Sequence, residues 1–205
     1  MHFSLMTKIF SKQLTKISLS AILACSLSLS VAYAQSAKSL PQVQFTTSMG
    51  SFTVELEPEK APKTVANFLN YVNGGFYTGT IFHRVINNFM VQGGGYTKDL
   101  LLKPTRAPIS IESNNGLKNT KYSIAMARTN DPNSATAQFF VNVKDNAMLD
   151  YPSRDGFGYT VFGRVVAGMD TIDNIKFVET NVHIPTQMSD VPVKAIVIES
   201  AKVIK

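Results

Sequence analysis

Apolar and polar residues alternate through 42–48 and again through 51–57, on either side of Met49-Gly50. A period of two broken by a turn pair predicts two strands joined as a hairpin. The period then changes. Pro62 suits a first helical turn, Val65, Phe68, Leu69 and Val72 follow at helical spacing, and Gly74-Gly75 stops the run, so 60–73 reads as an amphipathic helix. Short β-type runs come next, at 80–86, 89–92, 122–127, 138–143, 160–166 and 193–203, separated by clusters of Gly, Asn, Asp and Pro. A second helix fits 168–176, with Asp170 early and Ile172 and Ile175 inward. Many short strands, two helices and no βαβ alternation predict a mostly β, mostly antiparallel sandwich or barrel, and the pattern alone does not choose between them. No Pro/Gly/Ser-rich linker interrupts 42–205, which reads as one domain behind a short polar leader at 35–41.

The chain ahead of that leader has a different character. Residues 17–31 are uncharged and mostly apolar or small; Lys8, Lys12 and Lys16 precede them and Ala32-Tyr33-Ala34 follows. A basic start, a short apolar run and a small-x-small site describe a secretory signal over 1–34, cleaved after Ala34. The run is shorter than the ~20 residues of a spanning helix. Ile22-Leu23-Ala24-Cys25 loosely resembles a bacterial lipoprotein box, but the apolar segment continues past Cys25, so the Ala34 site is favoured. The expected location is the periplasm. Cys25 is the only cysteine, so a mature chain starting at Gln35 has none, which excludes thiol catalysis, a disulfide scaffold and a cysteine zinc site. The net charge of +6 looks basic, but removing the signal leaves 17 basic against 14 acidic residues with no Lys/Arg run. Nucleic acid is therefore not an expected partner, nor is a membrane for the mature chain.

Four blocks carry the chemistry. They are Phe82-His83-Arg84-Val85-Ile86 running through Asn87-Asn88 into Phe89-Met90-Val91-Gln92-Gly93-Gly94-Gly95; Ser123 to Arg128; Ser134 to Val141; and Phe157-Gly158-Tyr159 leading to Phe162-Gly163-Arg164. With the helix segment from Ala61 to Phe68, these blocks closely resemble the cyclophilin-type peptidyl-prolyl cis-trans isomerases, nearest to secreted bacterial members, over 43–203 and in the family's order. The resemblance implies a closed eight-stranded antiparallel β-barrel capped by two helices, with a shallow proline groove on its outer face. It puts the catalytic arginine at Arg84, the proline pocket at Phe89, Met90, Phe140 and Leu149, and the backbone-gripping glutamine at Gln92. Gln138 and Ala127 line the neighbouring subsite, and Phe82 and Ile86 belong to the core. It implies a monomer without metal or cofactor, acting on unfolded or exposed proline-containing polypeptides.

The residue types suit that chemistry. Twisting an X–Pro bond breaks amide resonance against a barrier of ~18–20 kcal/mol, and no covalent bond is made or broken. An apolar slot must hold the ring, a polar side chain must fix the flanking backbone, and a permanently charged donor must meet the nitrogen as it gains a lone pair. The chain also departs from the family's usual pattern. Asn87-Asn88 replaces a Pro-Gly turn, which Asn tolerates. Arg128 and Thr129 stand where eukaryotic members usually have Asn and Ala, which implies altered peptide preference with the main-chain contact kept. Met148 replaces a tryptophan that grips cyclosporin in many members, and a thioether has no N–H donor to replace it. Tyr159 falls where relatives often carry a pocket histidine.

Other readings carry less. Strand alternation sends His83 to the face opposite Arg84, as a satisfied structural histidine. His83 and His183 are too far apart in sequence to suggest a metal site, and Gly93-Gly94-Gly95 lacks the Lys-Ser/Thr ending of a phosphate loop. A pure binding module for proline segments is the competing class. Arg84 argues against it, because a binder has no use for a transition-state donor.

Overall fold

The computed structural model describes residues 39–205. The predicted export signal and residues 35–38 of the leader lie outside the described residues. Ten strands form: β1 Gln42–Thr47, β2 Gly50–Leu56, β3 Thr80–Ile86, β4 Met90–Thr97, β5 Ser123–Met126, β6 Phe139–Asn142, β7 Val161–Ala167, β8 Thr180–His183, β9 Met188–Pro192 and β10 Ile196–Val203. Two helices accompany them, α1 Pro62–Asn73 and α2 Met169–Ile175, with a 3₁₀ turn at Ala147–Leu149. Eight strands close an antiparallel barrel in the order β1-β10-β3-β4-β6-β5-β7-β2, and β8 and β9 make a separate two-stranded ribbon. A closed eight-stranded antiparallel barrel with two helices is the architecture that the resemblance implied.

The barrel is filled with rings. Phe45, Phe52, Phe68, Phe82, Phe139, Phe162 and Tyr77 are all essentially without solvent contact, and Phe45 stacks on Phe52 at 4.9 Å between centroids. Helix α1 buries Val65, Phe68 and Val72, the stripe expected from its spacing. It begins at Pro62, whose fixed φ and missing N–H suit a first turn. Helix α2 runs 169–175 with Ile172 and Ile175 inward and Asp170 in its first turn.

Three features escaped the sequence pattern. The β8–β9 ribbon is mostly exposed, so it shows no apolar alternation, and Gln187 and Asp190 supply its left-handed positions in place of glycine. Ala61 offers α1 no capping side chain. Glu112 does so from a distant loop, accepting from the N–H groups of Lys63 (3.0 Å) and Thr64 (2.9 Å) and from the Thr64 hydroxyl (2.8 Å). The third is a bulge in β3. Phe82 pairs with Gly93 and Arg84 with Gln92, so two steps along β3 match one along β4 and His83 is the extra residue. The bulge resets the alternation. Phe82 and Val85 point into the barrel, while Ile86 packs outside with Met90 and Phe140, which corrects its expected place in the core.

His83 is buried against Tyr96, with ring centroids 4.6 Å apart. Its Nδ1 has no hydrogen-bond partner among the described residues, so it is not the satisfied histidine expected. Burial first, and the nearby Arg84 charge second, lower its pKa from the ordinary 6.5 to about 4.

Two outcomes follow from these features. Glu112→Ala leaves two helix N–H groups without an acceptor and should cost ~1–2 kcal/mol in urea unfolding; an unchanged midpoint would show that the cap contributes nothing. For His83 the unfolded chain binds a proton near pH 6.5 and the folded chain only near 4. Its neutral state therefore contributes fully above pH 6.5 and less as the pH falls towards 4, a rise with pH of about 3 kcal/mol across that window. His83→Leu should flatten that part of the stability profile, and an unchanged slope would assign it elsewhere.

Candidate active site

The site is built from the outer face of β3, β4, β6 and β5. Register places Arg84 opposite Gln92, Gln92 opposite Phe140 and Phe140 opposite Ala125, a row running across four strands. Because strand residues alternate, the neighbours Val91, Phe139, Val141 and Ile124 go into the barrel while this row faces out. Two residues along, on the same face, Ile86 pairs with Met90.

Loops wall the row. The Asn87-Asn88 turn forms with Asn88 left-handed (φ 63°), and the Phe89 N–H donates to the Ile86 carbonyl at 3.1 Å. The Asn146 side-chain amide donates to the Phe89 carbonyl (2.8 Å) and to Asn142 Oδ1 (2.7 Å). The Leu149 N–H donates to the Asn146 carbonyl at 2.8 Å, and the Tyr159 N–H to the Leu149 carbonyl at 2.9 Å. Phe89, Leu149 and Tyr159 are thus tied into one hydrogen-bonded unit. The Phe140 and Tyr159 rings meet edge-on at 5.6 Å.

Together these elements enclose a hollow of about 110 Å³ lined by Arg84, Phe89, Met90, Gln92, Ala127, Arg128, Phe140, Leu149 and Tyr159. Nine of the eleven residues predicted from sequence meet there. Gln138 stands behind instead of lining it: its Oε1 accepts from Gln92 Nε2 at 3.0 Å, which fixes the Gln92 amide. Gly95 makes room for it, since a Cβ at 95 would lie 2.4 Å from Gln138 Cγ. Met148 is 59% exposed on the 3₁₀ turn and does not line the hollow.

The two arginines differ in kind. The Arg128 side chain is only 4% exposed, and its guanidinium is fully committed. Nε and Nη2 donate to the Gly158 carbonyl (3.0 and 2.8 Å), Nη1 donates to the Thr129 carbonyl (2.9 Å), Nη2 also meets Asp155, and the whole group lies 4.5 Å from the Tyr159 ring centre. Arg128 lines the hollow, as expected of a substrate-binding residue, and its guanidinium also braces the wall. Asp155 also accepts the Phe157 and Gly158 N–H groups at 2.9 Å. The Gly158 N–H, then the Arg128 hydrogen bond, hold its carboxyl well below the usual carboxylate range. Arg84, by contrast, has a side chain 41% exposed, and its one ion pair is with Asp190, at 3.6 Å. Its terminal Nη groups donate to no acceptor among the described residues.

Comparison with known proteins identifies the family. A family profile described as cyclophilin type peptidyl-prolyl cis-trans isomerase/CLD matches residues 42–203. A peptidyl-prolyl cis-trans isomerase of Streptomyces antibioticus is 57% identical over 164 residues, covering 79% of this chain and 98% of that protein. Peptidyl-prolyl cis-trans isomerase B of Escherichia coli is 52% identical over 163 residues, covering 78% and 98%. Among solved structures, a cyclophilin of Cryptosporidium parvum crystallised in the presence of the dipeptide Ala-Pro superposes with a TM-score of 0.65 at 25% identity, covering 80% of this chain and 99% of that one. Matched along almost the whole described barrel, and more than half identical to named isomerases, the chain belongs to the cyclophilin-type peptidyl-prolyl cis-trans isomerases.

Proposed function

We propose that this isomerase turns X–Pro bonds of unfolded or exposed polypeptide segments outside the cytoplasm, as a monomer without metal or cofactor, using Arg84 as the catalytic donor. The observation that carries the reading is the pairing of a small hollow, walled by Phe89, Met90, Phe140 and Leu149, with an arginine whose Nη groups are uncommitted among the described residues. The basic, apolar and small-residue order of 1–34 supports export.

The proline ring sits against Phe89, Met90, Phe140 and Leu149, which resist its rotation. Gln92, its amide fixed by Gln138, holds the chain beside the ring, and Ala127 forms the floor of the next position. As the carbonyl swings out of conjugation the imide nitrogen becomes pyramidal and gains a lone pair. An Nη–H of Arg84 donates to it. That bond is absent in the planar ground state, so it lowers the barrier without tightening substrate binding. No proton changes hands, and arginine stays charged at every working pH.

The decisive experiment is exchange spectroscopy on a short X–Pro peptide. Arg84→Ala should lose ~10²–10³ in turnover while the peptide Kd changes by less than about threefold. Wild-type turnover would remove Arg84 from its role, and unaltered cis/trans exchange with the native protein, alongside binding, would make the chain a binder. Turnover should be flat between pH 5 and 8. The Asp155 pKa is depressed, so the clamp it forms is present above the ordinary carboxylate pKa and lost only as pH falls through its lower folded value; His83, next to Arg84 in the chain, titrates near 4 and is neutral across that range.

The Arg128 clamp makes a separate prediction. Arg128→Lys keeps the charge but its compact ammonium lacks the planar fork that spans Gly158, Thr129 and Asp155, so both Lys and Ala should loosen Tyr159. The expected result is a KM raised about tenfold with kcat within about twofold, as for an element that shapes binding rather than the transition state. A fall in kcat at constant KM would contradict that division.

A further inference from the structure

The groove is made by the barrel and its loops, yet the charged group against Arg84 comes from the β8–β9 ribbon. Asp190 Oδ2 lies 3.6 Å from Arg84 Nε, and the Ser189 hydroxyl donates to that same oxygen at 3.1 Å. The ribbon is anchored over β3: Val191 is buried with Ile81 and Leu100, and Met188 packs against them. Consecutive residues of a regular strand point to opposite faces, so with Val191 turned towards β3, Asp190 would point away. It does not. Asp190 is left-handed, at φ 61°, and the β8–β9 register slips between Asn181 and His183. Bulges of this kind re-aim a side chain, and here both Asp190 and Val191 reach β3. Asp and Asn are the non-glycine residues that accept this conformation most readily.

We infer that Asp190 is a positioning residue for Arg84. An exposed arginine samples many rotamers, and a carboxylate on its Nε edge selects those that leave both Nη groups for the hollow. The Ser189 hydroxyl steadies the carboxylate oxygen that makes the contact. Asp190 touches no part of the hollow itself, since it is absent from its lining. It acts through Arg84, and the inference rests on the reading of Arg84 as the transition-state donor.

Asp190→Asn is the informative variant, because Asn keeps the shape and the left-handed backbone and removes only the charge. In X–Pro exchange measurements it should lower kcat by roughly threefold to fivefold with KM unchanged, in keeping with an exposed pair. Asp190→Glu should recover part of the loss. Raising salt from roughly 0.01 to 1 M, where the Debye length falls from about 30 to about 3 Å, should slow the wild type and leave Asp190→Asn unaffected. The Arg84 Nε–H resonance should shift in Asp190→Asn while the backbone spectrum of the barrel stays in place. In the Arg84→Ala background, Asp190→Asn should cost nothing further. Unchanged or increased kcat in Asp190→Asn, or an equal loss in both backgrounds, overturns the positioning role alone. Wild-type turnover in Arg84→Ala overturns the reading of Arg84, and this inference with it.

Discussion

A barrel strand must put apolar residues inside on a strict period of two, and β3 has to satisfy that rule while presenting Arg84 outside. Were the strand regular through position 83, Phe82, Arg84 and Ile86 would share one face, and a charged side chain would lie on the same side as a core phenylalanine. The bulge lets Phe82 and Val85 remain in the interior with Arg84 and Ile86 on the surface. Its cost falls on His83, whose imidazole is buried, neutral and unpartnered at Nδ1. Leaving a buried polar group unpaired costs about 1–3 kcal/mol, and the fold tolerates it because the row from Arg84 through Gln92 to Phe140 follows from it.

The outward row would be a poor surface by itself, an apolar stripe exposed to water. Two polar assemblies cover its edges without filling it. On one side Asn119, Asn142, Asn146 and Asp150 hold Phe89 and Leu149; on the other Arg128 and Asp155 hold the loop ending at Tyr159. Each assembly ties a wall residue by several hydrogen bonds, although the buried Asn146 Oδ1 has no partner among the described residues. Arg84 is the exception: among the described residues it has one ion pair, with Asp190, and its Nη groups have no acceptor. One arginine of the hollow is thus committed to its wall, while the other has the outward position that the proposed donor role requires.

The sequence was informative where burial imposes a period. Helix α1, the barrel strands and α2 were legible within a few residues, and β4 ran on to Thr97 only because its glycines continue the strand. The site residues were legible because ordered blocks matched a family, not because any one residue announced its role. The Glu112 cap joins residues far apart in the chain, and the β8–β9 ribbon carries no alternation because water covers much of it, so neither had a local signal. The place of Ile86 was misread for a related reason: one inserted residue inverts every assignment after it, and composition does not reveal the insertion. Gln138 and Arg128 were recognised as belonging to the site, but only coordinates show that each acts on a neighbour, Gln92 or Tyr159.

The size of the hollow bears on how such an enzyme meets its substrates. About 110 Å³ is well below the ~300–1,000 Å³ of sites that enclose a drug-sized ligand. Enough room exists for one five-membered ring, and little binding energy can come from enclosure alone. The binding energy of any one segment is therefore small, and its dissociation correspondingly fast. For bond rotation that is an advantage, since a tightly held ground state would raise the barrier to be crossed by the same amount. On the proposed reading, a shallow slot with one charged donor at its rim discriminates by the state of the bond rather than by the identity of the chain, which suits it to polypeptides of varied sequence.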